Sequence, residues 1–356
     1  MRIHIVGAGL IGTSIGLGLT QLGDLVTFED TNPDHLRVAQ DLIGSQNLEA
    51  RSTPIELVIL STPVEVLFDT LQAQFSQNPQ SMFIDVSGLK SELIQQVESF
   101  PDLASRFCGT HPMAGREISG PTGARADLFQ GAVWIVTPTS RTEEGVVSTA
   151  TSLAKSLGAS VRIVEAEVHD RAISAVSHLP QVFSSLLAQT LHQSSEEDLS
   201  LAGQGIRDLT RLADSSPSLW SELLLHNKKN LLKSLATVQA SIAKLINDVE
   251  NDDKKAVFDL LKLGNAGKSL IPGKHGGIAR AYAYLPIVID DKPGQLAAIF
   301  DECANVKVNV EDLFIEHSPG QQTGLITLAL SQDDANILRS HLVEKNWRVH
   351  EIRASR

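Results

Sequence analysis

The chain has 356 residues, of which 42% are hydrophobic and 20% charged, with a net charge of −12. This length and composition predict two or three domains with ordinary hydrophobic cores. The acidic balance and the lack of long basic runs argue against nucleic acid or a membrane surface as a partner. The two cysteines, Cys108 and Cys303, have no metal-binding spacing and are expected to be reduced thiols. Neither a signal peptide nor a membrane span is expected, so we predict a cytoplasmic protein.

Residues 1–165 alternate short apolar segments with helical stretches, which is typical of a Rossmann-type α/β domain. Several of the segments are apolar throughout, as in strands that are buried on both faces. We therefore predict a parallel, doubly wound sheet. The predicted strands are residues 2–6, 25–29, 57–61, 82–86, 107–110, 132–137 and 161–164.

A glycine-rich loop follows the first predicted strand directly, and its sequence is Gly7-Ala8-Gly9-Leu10-Ile11-Gly12. Such a loop lets the backbone approach a pyrophosphate, which the amides of the next helix then bind. Asp30 follows Gly12 by eighteen residues, at the end of the second strand. Its carboxylate can accept ribose hydroxyls and would repel a 2′-phosphate, which favours NAD over NADP. Glu29 is the alternative acid, but strand alternation points it to the opposite side.

Polar residues follow the third, fourth and fifth predicted strands, at the sheet edge where ligands bind in such folds. Ser61-Thr62-Pro63 and Ser87 belong to this set, and a helix cap also explains Ser87. His111 and Glu117 stand six residues apart after the fifth strand. Because a histidine titrates near neutral pH, His111 is a candidate base for an alcohol that loses hydride to a nicotinamide.

Residues 166–270 lack strand signals and predict an all-α domain. A helix that begins at Pro217 and runs to about residue 250 carries a long apolar stripe, which we interpret as a dimer interface, although packing within the chain is an alternative. His178 lies in an apolar helix, as either a core or a site histidine. Arg207 and Arg211 are one helical turn apart with Asp208 between them, which fits either a solvated face or a fork for a carboxylate substrate.

Residues 271–283 are predicted to be a linker, and residues 284–356 a separate small domain. Its strand and helix signals follow the order βαββαβ, which is ferredoxin-like. A predicted turn at residues 291–294 separates the first strand from the first helix. The predicted elements are a strand over 284–289, a helix over 296–304, strands over 308–315 and 324–330, a helix over 332–345 and a strand over 347–352.

These segments together resemble the prephenate dehydrogenase family, which includes arogenate and cyclohexadienyl dehydrogenases. The resemblance spans essentially the whole chain, and its tail resembles an ACT domain. It rests on the glycine loop, on His111-Pro112-Met113-Ala114-Gly115-Arg116-Glu117, Val136-Thr137-Pro138-Thr139, Ser177-His178-Leu179-Pro180 and Asp208-Leu209-Thr210-Arg211, and on the tail segment Asp291-Lys292-Pro293-Gly294-Gln295-Leu296.

The resemblance implies NAD-dependent oxidative decarboxylation of prephenate to 4-hydroxyphenylpyruvate, with no metal. By resemblance, His111 takes the proton of the C4 hydroxyl, Arg211 binds a substrate carboxylate, and His178 lines the same cleft. Ser87, Glu117, Arg207 and Asp208 are expected to contribute to substrate binding. The homodimer is expected to bind L-tyrosine or a related aromatic amino acid as an effector. The effector site implied by the ACT resemblance consists of Asp291, Pro293, Gly294 and Gln295.

Two departures from the family pattern affect the predicted substrate pocket. Many members carry a serine two residues before the lysine that corresponds to Lys90, where this chain has Gly88 with Ser87 one step earlier. A run of glycines that precedes the Asp-x-Thr-Arg motif in many members is interrupted here as Gly203-Gln204-Gly205.

Three other functions remain open at this point. The substrate could be L-arogenate, which carries an amino group where prephenate carries an oxo group. No residue in the sequence obviously distinguishes between these two groups. A β-hydroxyacid dehydrogenase usually relies on a lysine in its helical domain, and residues 166–227 contain none. A non-catalytic sensor of NAD and amino acids would not need to retain His111, His178 and Arg211.

Overall fold

The computed structural model describes residues 1–44, 53–116, 118–271, 282–317 and 322–354. The chain forms two compact units, Met1–Asp253 and Lys254–Arg356, and each is described by itself. The four-part domain division predicted from the sequence is finer than this and stays a prediction. No helix in the described ranges is long and apolar enough to cross a bilayer.

The described part of the first unit contains a seven-stranded sheet in the order β2-β1-β3-β4-β5-β6-β7. Its strands are Arg2–Val6 (β1), Leu25–Glu29 (β2), Leu57–Leu60 (β3), Met82–Asp85 (β4), Phe107–Pro112 (β5), Val133–Pro138 (β6) and Ser160–Ile163 (β7). The predicted strands therefore form, with ends that differ by one or two residues.

One strand pairing differs from the predicted all-parallel sheet. β6 runs antiparallel to β5, with His111 opposite Ile135, while the other neighbours in this sheet are parallel. A parallel crossover needs a connection of a dozen or more residues that usually contains a helix. In the described part of the connection from β5 to β6, only the short 3₁₀ turn Pro121–Gly123 forms, so β6 returns in the opposite direction.

Helices cover both faces of this sheet because successive strand residues point to opposite sides. Along β3, Leu57 and Ile59 pack into one core cluster, while Val58 and Leu60 pack into the other. Both faces are therefore buried, as a doubly wound sheet requires. The helices of the α/β region are Leu10–Gln21 (α1), Pro33–Ile43 (α2), Val64–Gln77 (α3), Ser91–Glu98 (α4), Pro101–Arg106 (α5) and Glu144–Ser156 (α6).

The rest of the first unit is helical. Its elements are Ala166–Ile173 (α7), a π-helical segment Ser174–His178, Leu179–Thr190 (α8), a 3₁₀ turn Leu191–Gln193, Glu196–Ser200 (α9), Gln204–Thr210 (α10), a 3₁₀ turn Arg211–Asp214, Pro217–His226 (α11) and Lys228–Glu250 (α12). Ser216 caps α11, and its side-chain oxygen accepts from the Leu219 amide, as predicted.

The single helix predicted over residues 217–250 is wrong, because it divides at Asn227 into α11 and α12. The Asn227 backbone leaves the helical conformation, and its buried side chain donates to the carbonyl of Asp170 on α7. The contact with α7 therefore ends one helix and begins another, although the spacing of the apolar residues predicted a single helix. The apolar stripe of α12 is buried at Leu231 but exposed farther along, at Ile242 and Val249.

The second unit contains one helix followed by a small α/β arrangement. Its elements are Lys254–Ser269 (α13), Ala283–Asp290 (β8), Gln295–Asn305 (α14), Asp312–His317 (β9), Thr323–Leu330 (β10), Gln332–Glu344 (α15), Arg348–Val349 (β11) and Arg353–Ala354 (β12). From β8 onward the order is βαββαβ as predicted, and the sheet is antiparallel in the order β11-β8-β10-β9.

The closing strand predicted over 347–352 forms instead as the two short segments β11 and β12, both paired with β8. The interruption lies opposite Pro286 of β8, which has no amide hydrogen to donate to a strand ladder. The strand predicted over 308–315 begins later, at Asp312. The predicted linker lies largely outside the described residues.

Candidate active site

The glycine loop joins β1 to α1 at the carboxyl edge of the large sheet. Gly7 has a φ of +102°, and a Cβ atom there would lie 2.3 Å from the carbonyl oxygen of Ser61. A Cβ on Gly12 would lie 2.0 Å from the carbonyl oxygen of Gly7, so neither position accepts a side chain. A Cβ on Gly9 would meet no described atom within 4 Å. The loop is therefore closed on the protein side and open beside Gly9.

Helix α1 begins at Leu10, and no described side chain caps it. The first amides of a helix, here those of Leu10, Ile11 and Gly12, have no partner within the helix and carry a partial positive charge. An open glycine loop before such amides is the arrangement that holds a pyrophosphate.

Asp30 is the acidic side chain that contacts this loop. Its Oδ2 accepts from the Ala8 amide at 2.6 Å and its Oδ1 from the Asn32 amide at 2.7 Å. Glu29 faces elsewhere, because its Oε2 accepts from Nε2 of Gln74 at 2.8 Å. Between the two candidate acids, the geometry therefore favours Asp30 as the residue that would meet a ribose.

The segment Ser61-Thr62-Pro63 follows β3 beside the loop. The Ser61 amide donates to the carbonyl of Val6 at 2.7 Å, which fastens the end of β3 to the end of β1. The hydroxyl of Thr62 is enclosed and has no hydrogen-bond partner among the described residues. Together these features fit a dinucleotide. They are the glycine loop that is open beside Gly9, the uncapped amides of α1, the carboxylate of Asp30 and the unpartnered hydroxyl of Thr62.

A buried ion pair lies at the end of β4. Nζ of Lys90 pairs with Oδ2 of Asp85, and both side chains are fully buried. Nζ also donates to Oγ of Ser87 at 2.9 Å, and this hydroxyl lies 2.6 Å from the same Asp85 carboxylate. Burial lowers the pKa of Lys90, against the attraction of Asp85. Ser87 is thus engaged by the ion pair.

His111, near the end of β5, is the first member of a chain of three side chains. Its Nδ1 lies 2.9 Å from Nε2 of His169 on α7, and Nδ1 of His169 lies 2.7 Å from Oδ1 of Asp170. The carboxylate of Asp170 also accepts from the amides of Lys90 at 3.0 Å and Ser91 at 2.8 Å, at the start of α4.

Burial is the main cause that lowers the pKa of His111 well below 6.5, and the neighbouring His169 and Lys90 lower it further. The ring is therefore neutral at pH 7 and can accept a proton. Burial raises the pKa of Asp170, but hydrogen bonds from His169 and Ser91 outweigh it and leave the pKa below its ordinary value. Asp170 is therefore a carboxylate.

Gly88 lies beside the Nε2 edge of the His111 ring. A Cβ atom on Gly88 would sit 3.9 Å from Nε2 of His111 and 3.3 Å from Cδ2 of Leu223 on α11. A side chain at position 88 would thus point toward Nε2, whereas the Ser87 hydroxyl points toward Asp85 and Lys90. Glycine at position 88 therefore places no side chain against Nε2 of His111.

His178 ends the π-helical segment, a feature frequent at functional sites. Only 1% of its surface is exposed, its Nδ1 lies 3.3 Å from Nδ2 of Asn227, and its ring meets the edge of Trp220. Burial is the largest cause that lowers the pKa of His178 to about 4. Protonation of His178 would lower the pKa of His111 further.

Two family sequence models match the chain. The one described as "Prephenate dehydrogenase, nucleotide-binding domain" matches residues 22–163, and "Prephenate dehydrogenase, dimerization domain" matches residues 165–263. The chain belongs to the prephenate dehydrogenase family. It is an NAD-dependent oxidoreductase of tyrosine biosynthesis, as the resemblance implied, rather than a non-catalytic sensor.

Two named relatives of this dehydrogenase match nearly end to end. A probable prephenate dehydrogenase of Streptomyces niveus is 28% identical, over 96% of this chain and 98% of the relative. The prephenate dehydrogenase of Bacillus subtilis is 29% identical, over 93% of this chain and 92% of the relative.

Solved structures of two relatives share the fold. The prephenate dehydrogenase of A. aeolicus, in complex with hydroxyphenyl propionate and NAD⁺, is 28% identical with a TM-score of 0.67, covering 75% of this chain and 97% of that one. The Synechocystis arogenate dehydrogenase is 28% identical with a TM-score of 0.63, covering 75% of this chain and 99% of that one.

The predicted substrate residues of the dehydrogenase lie in three places. Ser87 directly precedes Gly88, which lies beside His111, and His178 ends the π-helical segment. Arg207 and Asp208 lie exposed on α10, and Arg211 is exposed at the start of the following 3₁₀ turn. Oδ1 of Asp208 accepts from Nε2 of Gln204 at 2.7 Å. Glu117 lies outside the described residues.

The turn that carries Arg211 is attached to the helix that follows His178. Nε2 of Gln181, buried on α8, donates to the carbonyl of Leu212 at 2.8 Å. Gln181 lies three residues after His178, so one helical turn links the buried histidine to the arginine turn.

The predicted effector residues lie in the second unit, between β8 and α14. Gly294 has a φ of +89° and precedes the first residue of α14, Gln295. The Asp291 amide donates to the carbonyl of Gln322 at 2.9 Å. The turn is tight, and a glycine at its left-handed position avoids strain.

Sequence reasoning missed His169, Asp170 and Asn227. His169 and Asp170 stand next to each other where strand signals give way to helical ones, and that adjacent pair was the available signal. Asn227 carried no signal, because its role depends on a contact with α7 that sequence spacing does not reveal.

Proposed function

We propose that the enzyme oxidises and decarboxylates prephenate to 4-hydroxyphenylpyruvate, with His111 as the proton acceptor. The observation that carries this is the half-buried, neutral His111 ring, held through Nδ1 with Nε2 beside Gly88, at the same sheet edge as the glycine loop. The near full-length likeness to prephenate dehydrogenases supports the same substrate.

The reaction balances without a metal. His111 accepts the proton of the C4 hydroxyl as the C4 hydrogen leaves with its electron pair. NAD⁺, when bound, supplies the acceptor for that hydride. The bond between the ring and its carboxylate breaks, CO₂ departs, and the bonding electrons make the ring aromatic as the oxygen regains a proton.

Residues of the glycine loop and its surroundings would hold the cofactor. Asp30 would accept the ribose hydroxyls, and the amides at the start of α1 would bind the pyrophosphate. The enclosed Thr62 hydroxyl and its neighbours Ser61 and Pro63 would line the remaining wall. The presence of an acid at this place supports NAD over NADP.

Substrate binding needs positive charge, since prephenate carries two carboxylates. We assign one of them to Arg211, with Arg207 one turn away and Asp208 and Glu117 orienting the cationic groups. His178 would line the cleft as a neutral ring. Ser87 would act on the site through Lys90 and Asp85, because its hydroxyl is engaged by them.

L-Arogenate is the second candidate substrate. The likeness to the Synechocystis arogenate dehydrogenase supports this alternative. The test measures the rate of NADH formation by absorbance, with prephenate and with L-arogenate at equal concentrations. We expect kcat/KM for prephenate to exceed that for arogenate. The reverse order would assign the enzyme to arogenate.

We also propose that residues 284–356 form an ACT domain that binds L-tyrosine or a related aromatic amino acid. Its βαββαβ order and the Asp291–Gln295 turn support this, since such a turn presents backbone amides to a carboxylate. The family match to a dimerization domain and the exposed stripe at Ile242 and Val249 support a homodimer. The cytoplasmic location stays a prediction.

A further inference from the structure

We propose that Asp170 and His169 are positioning residues that hold the proton of His111 on Nδ1 and so leave Nε2 as the base. This rests on the proposed function, in which His111 accepts the proton of the substrate hydroxyl. It assigns a positioning role to two residues of α7, of which His169 contacts His111 and Asp170 contacts His169.

The first step is the state of Asp170. Its carboxylate accepts from two backbone amides, those of Lys90 and Ser91, and both donors are fixed by the start of α4. A backbone amide can only donate, so these oxygens act as acceptors. A third donor must therefore come from His169, which places a hydrogen on Nδ1 of that ring.

The second step follows from the chemistry of a neutral imidazole, which has one donor and one acceptor nitrogen. With Nδ1 of His169 donating to Asp170, its Nε2 is an acceptor. The neighbour within reach of that acceptor is Nδ1 of His111, at 2.9 Å. Nδ1 of His111 must then carry the hydrogen, and its Nε2 has a lone pair on the side of Gly88.

The third step concerns charge. The titratable groups in the described chain that bear most on the pKa of His111 are Lys90 before α4, His169 and Asp170 on α7, and His178 in the π-helical segment. Lys90 is paired with Asp85. Asp170 is the carboxylate of this set, and its charge raises the pKa of His111 against the lowering by burial. The chain therefore also stabilises His111 after it takes a proton.

The first test replaces His169 in the full-length enzyme with NAD⁺ and prephenate. His169→Gln keeps an amide oxygen in reach of His111 Nδ1, whereas His169→Leu removes the acceptor at similar volume. We expect His169→Leu to lower kcat by roughly 10²-fold or more and His169→Gln by about 10-fold or less, the range of a disturbed general base. The KM of prephenate and the Kd of NAD⁺ should stay within about threefold.

A matched control removes a histidine–carboxylate pair that belongs to the second unit. His341→Leu breaks the 2.6 Å contact with Glu302 in the second unit and should leave kcat unchanged. A purely structural role of His169 would instead lower thermal stability in His169→Leu and His169→Gln alike, without separating their kcat values.

Two further readouts report on the proton itself. Imidazole ¹⁵N chemical shifts of the wild-type enzyme should show His111 protonated on Nδ1, and His169→Leu should shift it toward a mixture of tautomers. Asp170→Asn should move the acid limb of kcat/KM to lower pH, since the charge that raises the His111 pKa is gone.

Different results overturn different claims. Wild-type kcat in His169→Leu, or His111 protonated on Nε2 in the wild type, would refute the positioning chain while leaving His111 as the base. Wild-type kcat in His111→Asn would instead refute the proposed function.

Discussion

At the scale of single residues, cofactor choice depends on the carboxylate of Asp30, which two backbone amides hold against the glycine loop. We expect Asp30→Ser to weaken NAD⁺ binding and to relax the bias against NADP⁺, because the repulsion of a 2′-phosphate is lost. The measurement is the ratio of kcat/KM for the two cofactors. Glu29→Gln is the matched control, since Glu29 bonds to Gln74 instead. An unchanged ratio in Asp30→Ser would assign the ribose contact elsewhere.

The buried histidines also determine the response to pH. Burial lowers the pKa of His178 to about 4 and that of His111 well below 6.5. The unfolded chain therefore takes up protons first as the pH falls, so the stability contributed by these neutral rings is present above about pH 6.5 and is lost toward pH 4.

We expect the melting temperature to fall across that window, and His178→Gln to flatten the fall. The acid limb of kcat/KM should lie below pH 6.5, because the base stays neutral down to its lowered pKa. A Tm that does not change between pH 6.5 and pH 4 would contradict the assignment of buried, neutral rings.

At the scale of elements, the turn after α10 should bind a substrate carboxylate through Arg211. Arg211→Ala should raise the KM for prephenate by about 10- to 150-fold, the cost of a charge-assisted hydrogen bond, with a smaller change in kcat. Arg211→Lys should rescue only part, since an ammonium does not reproduce a bidentate fork. Arg207→Ala is the comparison variant and should raise the KM less, and a larger KM effect there would assign the carboxylate to Arg207.

The elements also mark how far sequence alone predicts the structure. The strand–helix alternation and the glycine loop follow from local patterns, and both form as predicted. The antiparallel β6 and the break at Asn227 do not, because each depends on packing between segments distant in sequence. The contact of His111 with His169 spans 58 residues, so periodicity alone could not predict it.

At the scale of the whole molecule, the proposed ACT domain predicts control of the activity by an amino acid. We expect L-tyrosine to inhibit the enzyme, and Gly294→Ala to reduce that inhibition while basal activity survives. The substitution strains a turn whose φ is +89° by about 1–2 kcal/mol. Gly131→Ala, at a φ of +72° in the first unit, imposes the same strain and should leave the inhibition intact.

Inhibition that persists unchanged in Gly294→Ala would indicate competition at the active site instead. Light scattering on the same samples gives the assembly state, and we expect a mass of about twice 38.4 kDa.

The central claim is that His111 accepts the proton while hydride leaves for NAD⁺. The most direct test compares wild type and His111→Asn for NADH formation from prephenate, together with the Kd of NAD⁺ for each. We predict a kcat lowered by roughly 10²- to 10⁴-fold with nearly unchanged NAD⁺ and prephenate binding, the range of a lost general base. Near-normal turnover in His111→Asn would contradict the claim.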